Sequence, residues 1–207
     1  MIKFKDIIIE ELINKLSNYK AKELQEKDYT KSSVLLSISL NIKTPSIIFI
    51  KRSNMVKHHK GEVSYPGGVF DRKKDNNLLE TAIRETEEEI GVKKSYINII
   101  CPLDDELTFS TNFLVRPFLS FINCRKIIPN SIEVEKIIYV PIRNLLLQRT
   151  HKELILNNKD IKIHFSYYYR NILIWGATAR ILNNFLNLLQ KYNLDKIFTQ
   201  QNSRLEL

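Results

Sequence analysis

The stretch that decides the reading is residues 78–91, LLETAIRETEEEIG. Leu79, Ala82, Ile83, Thr86 and Ile90 fall at i, i+3, i+4, i+7 and i+11, laying one apolar stripe that predicts a helix over 78–90. Gly91 then stands where left-handed backbone commonly ends a helix. Asn77 with Glu80 three residues later predicts the N-terminal cap, a structural use for Glu80. At about 100° per residue, Glu85, Glu88 and Glu89 share an arc of about 100° beside the stripe, while Glu87 points away. Arg84 lies one turn before Glu88, on the flank of that cluster. Carboxylates at this spacing repel by ~0.2–0.5 kcal/mol per pair on a solvated helix. A divalent cation turns that penalty into a site, and an all-oxygen set without His or Cys selects Mg²⁺ or Mn²⁺ over Zn²⁺. The plain alternative is a solvated acidic face.

Outward from this helix, residues 33–42 and 46–52 read as strands separated by a turn at Lys43-Thr44-Pro45. Tyr65-Pro66-Gly67-Gly68 reads as a loop. Further strands are expected at 96–101, 113–122 and 134–140. An amphipathic helix over 4–17 carries Ile8, Leu12, Ile13 and Leu16, and a long apolar helix covers 177–192. The order predicts an α/β (α+β) chain, a mixed β-sheet with helices packed on it.

Composition narrows the class. A chain of 207 residues, 43% hydrophobic and 27% charged, is neither disordered, collagen-like nor a disulfide miniprotein. Its apolar runs, such as residues 46–50, fall far short of the ~20 that span a bilayer. Asp6, Glu10 and Glu11 interrupt what a signal peptide needs apolar, and with the lack of Arg they argue against a transit peptide. Cys101 and Cys124 fit no metal spacing and read as thiols of a reducing compartment. Ser203-Arg204-Leu205 resembles a peroxisomal address but is followed by Glu206 and Leu207, so cytoplasm is the expected location. The net charge of +9 is spread along the chain with no run of five cations. It suits an anionic substrate and disfavours a nucleic-acid partner. No membrane partner is expected, and a homodimer stays open.

Gly67-Gly68, Arg84-Glu85, Glu88-Glu89 and Gly91 together resemble the signature of the Nudix hydrolases. The second half of that signature is matched in full. The first half departs: Asn76 stands where the pattern has Glu, Phe70 where it has Gly, and Thr86 where a larger aliphatic residue is usual. A longer loop before the helix accounts for the offset. The resemblance implies a mixed β-sheet sandwiched between α-helices, with a Nudix domain over 30–192, an N-terminal helical extension over 1–29 and a tail over 193–207.

Residues 48–68, IFIKRSNMVKHHKGEVSYPGG, resemble the extended motif of the coenzyme A pyrophosphatase branch of that family. Arg52, Ser53, Lys57, Gly61, Tyr65, Pro66, Gly67 and Gly68 hold its spacing, with Lys57 in place of Arg and Tyr65 in place of Phe. Lys is a point charge without the bidentate fork. His58 and His59 read as part of a basic turn. Leu114-Val115-Arg116-Pro117-Phe118, Glu133-Val134 through Pro141, and Ile174-Trp175-Gly176 onward resemble later segments of the same branch.

The resemblance implies that Glu85, Glu88 and Glu89, with the backbone carbonyl near Gly68, hold Mg²⁺ or Mn²⁺. Glu88 is the expected base, with Glu133 or the Asp104-Asp105-Glu106 turn as outside candidates, and Arg84 orients a carboxylate. Arg52, Lys57, Gly61, Tyr65 and Gly67 are the expected substrate-binding residues. The implied substrate is coenzyme A or an acyl-CoA, cleaved to 3′,5′-ADP and (acyl) 4′-phosphopantetheine. The competing readings are a Nudix hydrolase of another nucleoside diphosphate derivative, capped RNA included, and a catalytically silent Nudix binding module.

Overall fold

A computed structural model describes residues 4–42, 44–55, 60–108, 110–124, 126–148, 151–157 and 160–199, the stretches 151–157 and 160–164 as backbone only. Helix α1 (Phe4–Leu16) precedes strands β1 (Thr30–Ser39), β2 (Ser46–Arg52), β3 (Val63–Ser64) and β4 (Gly67–Val69). Helix α2 (Leu78–Ile90) follows, then β5 (Ile97–Pro102), β6 (Glu106–Leu107), β7 (Phe113–Ile122) and β8 (Val134–Pro141). Helix α3 (Ile142–Leu147), strands β9 (His151–Asn157), β10 (Asp160–Tyr169) and β11 (Ile172–Ile174), and helices α4 (Gly176–Lys191) and α5 (Asp195–Thr199) complete the described chain.

Strand β1 is the axis of a mixed sheet ordered β3-β2-β1-β7-β5. It runs parallel to β7, from Thr30 opposite Phe113 to Ser39 opposite Ile122, and antiparallel to β2 and β4. Strand β8 pairs with β2, and β6 with β7. Both faces of the central strands are apolar, so both need cover. Leu36, Ile38, Ile47 and Phe49 meet Ile8, Leu12 and Leu16 of α1 and Ile181, Leu182 and Phe185 of α4. Leu35, Ile48, Ile50 and Phe118 meet Ala82, Ile83 and Ile90 of α2. A one-residue slip would exchange these two sets, which fixes the register and hence the site built on it.

The expected sandwich is therefore present, with local differences. Strand β1 starts three residues before the expected 33 and ends at Ser39. The expected Gly67-Gly68 loop includes a short strand. The N-terminal stretch is built into the core, where α1 buries its Ile8, Leu12 and Leu16, although Ile13 is exposed. The Tyr19 hydroxyl donates to Asp104 at 2.6 Å, and the Leu24 N–H donates to Asp105 at 2.9 Å. Within the expected tail, α5 buries Phe198. No described helix is long and apolar enough to cross a membrane.

Candidate active site

The site begins with two glycines forced by close approach. Gly68 of β4 lies opposite Ser33 of β1, with Gly67 opposite Val34. A Cβ on Gly67 would collide with the Ser33 carbonyl and Val34, and one on Gly68 would fall inside the Glu85 carboxylate. A side chain has no room against the β1 backbone at Gly67, and at Gly68 it would displace the Glu85 carboxylate, so β4 brings its backbone against α2. The helix itself ends as expected. The Asn77 side chain accepts from the Glu80 N–H at 3.0 Å, and Gly91, at φ 67°, donates to the Glu87 carbonyl at 3.0 Å. Glu80 also accepts from both nitrogens of Asn76, at 2.9 and 2.7 Å, which is structural use.

Arg84 is the hub of the first half of the site. Its Nε and Nη2 grip the two oxygens of Asp75 at 2.8 and 2.9 Å, a bidentate ion pair, while its Nη1 reaches Glu85 at 2.7 Å and Glu88 at 3.3 Å. Asp75 is buried and also accepts from the Thr81 hydroxyl at 2.9 Å. The Arg84 guanidinium, ahead of backbone and Thr81 hydrogen bonds, holds the Asp75 carboxyl down to about 2 against the burial that opposes it. Asp75 escaped the sequence reading. Its signal was an acid nine residues before Arg84, one position out of the signature's register and one methylene shorter than the Glu expected there.

The second half is less well compensated. Glu89 is 3% exposed and accepts from the Gly67 N–H at 3.0 Å, with Arg52 Nη1 only at 3.5 Å. Burial pushes its carboxyl up to about 8, Gly67 and Arg52 pull it back, and Glu85 and Glu133 add to the rise. Burial likewise raises Glu85, Arg84 opposes it, and Glu88 and Glu133 reinforce it. Glu88 remains nearly half-exposed. Glu133 is held at the far end of the helix, where the Asn130 N–H donates to the Glu89 carbonyl at 2.9 Å and the Ser53 N–H to the Glu133 carbonyl at 2.8 Å.

The structure thus gathers Arg52, Gly67, Gly68, Arg84, Glu85, Glu88 and Glu89, with Glu133 beside them. Two expected substrate-binding residues have other work. Tyr65 is 2% exposed, its ring 4.9 Å from that of Phe49 and its hydroxyl 3.4 Å from the Thr178 carbonyl, so it is a core residue. Gly61 turns the chain at φ 71°, and its N–H closes on the Arg52 carbonyl at 3.1 Å. Lys57, with His58 and His59, lies outside the described residues. The Asp104-Asp105-Glu106 turn is occupied structurally by Tyr19, Arg116 and Arg180.

Among the described residues, no three Asp, Glu, His or Cys side chains converge on one point as they stand, because Glu85 leans on Arg84 and Glu89 on Gly67 and Arg52. The chemistry of the set nevertheless fits a hard divalent cation. All donors are oxygens, and two carboxylates are raised by burial and mutual repulsion that a cation would relieve.

A family model for the NUDIX domain matches residues 34–155. The chain is 32% identical over 162 residues to the uncharacterized Nudix hydrolase NudL of Photorhabdus laumondii, covering 77% of this chain and 84% of that protein. It is 28% identical over 143 residues to the NudL of Pectobacterium atrosepticum, covering 68% and 73%. The crystal structure of a MutT/nudix family protein from Enterococcus faecalis superposes with a TM-score of 0.52 at 12% identity, covering 88% of this chain and 70% of that one, a likeness of fold. With the signature residues assembled around β4 and α2, these matches make the chain a member of the Nudix family, a hydrolase acting on the phosphoanhydride bond of a nucleoside diphosphate derivative.

Proposed function

We propose that the protein is a coenzyme A diphosphatase, hydrolysing coenzyme A or acyl-CoA to 3′,5′-ADP and (acyl) 4′-phosphopantetheine with Mg²⁺ or Mn²⁺. The observation that carries this reading is the state of Arg52, a cation of the branch motif. Its Nη1 reaches Glu89 only at 3.5 Å, and its Nε is buried with no hydrogen-bond partner among the described residues. Buried donors are rarely left so, and a guanidinium beside acidic ligands is suited to a phosphate oxygen. The motif that names the substrate therefore borders the carboxylates that do the chemistry.

Glu85, Glu88 and Glu89 are the ligands in this reading, with the carbonyl near Gly68 close by. A bound divalent cation supplies charge neutralisation on the diphosphate and a more acidic attacking water. Asp75 fixes Arg84, and Arg84 orients Glu85. Glu88, the most exposed of the three, takes the proton of the attacking water, with Glu133 as the alternative. The water oxygen bonds to phosphorus, the bridging P–O bond breaks, and Arg52 stabilises charge on the phosphate oxygens.

The deciding experiment is chromatographic analysis of products from the pure protein with coenzyme A and Mg²⁺. Equal amounts of 3′,5′-ADP and 4′-phosphopantetheine are expected. Unchanged coenzyme A alongside cleavage of another nucleoside diphosphate derivative would overturn the substrate and leave the chemistry.

A further inference from the structure

Several cations of the fold are spent on acids. Arg84, Arg116 and Arg180 each lie 2.8 Å from a carboxylate, and Lys51 lies 2.7 Å from Glu135. Arg72 and Lys74 differ. Both are exposed, and among the described residues neither has an ion-pair partner. They stand on the loop between β4 and α2, in the run Asp71-Arg72-Lys73-Lys74-Asp75.

That loop has a defined shape. The N–H groups of Lys74 and Asp75 donate to the Asp71 carbonyl at 2.9 and 2.8 Å. The Asp71 carboxylate accepts from the Lys73 N–H at 2.9 Å, and Asp75 accepts from the Asp71 N–H at 3.2 Å while gripping Arg84. Asp75 is spent on Arg84, while Asp71 stays part-exposed on the solvent side with the cations of the run. There a hollow of about 390 Å³ is lined by Phe70, Asp71, Arg72, Lys74, Arg84 and Glu85. Its volume is in the range of small-molecule sites. One wall is Arg84 and Glu85 of α2 and another is Arg72 and Lys74. An anion held there would lie in the same hollow as Glu85, and so would belong to the molecule whose diphosphate lies at Glu85.

We propose that Arg72 and Lys74 form a subsite for a phosphomonoester on the ribose of the substrate's nucleotide half, which in coenzyme A is the 3′-phosphate. The assignment rests on the coenzyme A reading and deepens it, because it makes the loop a discriminator between coenzyme A and substrates without that phosphate. Arg72 supplies a planar fork and Lys74 a point charge, a pairing suited to a dianion with three acceptor oxygens.

The test compares the wild type with the R72Q/K74Q double variant, whose exposed substitutions leave the fold's contacts in place. One arm reads kcat/KM with Mg²⁺ on coenzyme A and on dephospho-coenzyme A. The other reads equilibrium binding of adenosine 3′,5′-bisphosphate and of AMP. The wild type is expected to prefer the 3′-phosphorylated member of each pair by roughly tenfold or more, as for loss of charge-assisted hydrogen bonds. The double variant is expected to lose most of both preferences. A wild type without preference, or a variant losing equally on both members of each pair, overturns the subsite. If neither coenzyme is cleaved but the bisphosphate preference persists and depends on Arg72 and Lys74, the subsite stands and the substrate reading falls. If both coenzymes are cleaved without preference, the subsite falls and the substrate reading stands.

Discussion

The chain carries two tight groups of three acids, Glu85-Glu88-Glu89 on α2 and Asp104-Asp105-Glu106 before and within β6, and they are treated oppositely. In the second group every carboxylate has a dedicated partner. Asp104 accepts from the Tyr19 hydroxyl and the Lys22 N–H, Asp105 takes Arg116 in a bidentate pair with the Leu24 N–H added, and Glu106 takes Arg180. These bonds tie the N-terminal stretch and α4 to the sheet. In the first group, burial raises Glu85 and Glu89, and the available donors answer only part of the cost. Acids used for structure are neutralised by the fold itself. Under the proposed function the acids of α2 are the ones left wanting a cation, and that shortfall separates them from an ordinary charged face.

The sharpest way to break this contrast is to neutralise one acid from each group. E85Q is expected to lower Mg²⁺-dependent turnover by roughly 100-fold or more, as for loss of one electrostatic stabiliser, with little change in melting temperature. Full activity under saturating Mg²⁺ would refute the metal assignment. D105N is expected to do the converse. It leaves Arg116 without its buried partner, at a cost of about 3 kcal/mol read from the denaturation midpoint, while turnover per folded molecule is retained. If D105N abolished turnover at unchanged stability, the turn would be catalytic after all.

Asp75 lies between the two types, a structural acid serving α2, and gives the next largest effect. Its carboxyl sits at about 2 in the fold against an ordinary 3.8, a difference corresponding to about 2 kcal/mol. Because the folded value is the depressed one, the stabilisation is full above pH 3.8 and is lost as pH falls through 2. D75N is expected to remove that much stability at neutral pH and to flatten the acid limb between about pH 4 and 2 in denaturant titrations. It should also lower turnover by roughly tenfold, because Arg84 is released from its hold and orients Glu85 poorly. An acid limb unchanged in D75N would mean that another group carries it.

How far the sequence reached follows the same division between period and contact. Helix α2 and strands β2 and β7 were legible to the residue, because apolar spacing, the Asn77 cap and Gly91 act locally. The proposed metal face rests on the same local geometry, since helical periodicity alone sets Glu85, Glu88 and Glu89 on one side of α2. Strand β4 was not, because a three-residue strand opening with Gly67-Gly68 has little propensity of its own and exists through pairing with β1. Asp75 was hidden by the longer loop, which moved the partner of Arg84 out of the signature's register. Tyr65 was placed by its neighbours in the motif. Adjacency along the chain does not say to which side a ring points, and this one points into the core.

That last difference supplies the smallest effect. Y65F removes one hydroxyl whose hydrogen bond to the Thr178 carbonyl is long, 3.4 Å, and leaves the ring packed on Phe49. Thr178 lies in the first turn of α4, so its carbonyl keeps its place in the helical ladder, and the expected cost is at most about 1 kcal/mol. A core residue has no route to bound substrate, so KM and kcat are expected to stay within about twofold of the wild type. A severalfold rise in KM at unchanged stability would instead mean that the hydroxyl meets the substrate. The packing between Phe49 and α4 would then have to open during turnover, making this core region part of the site.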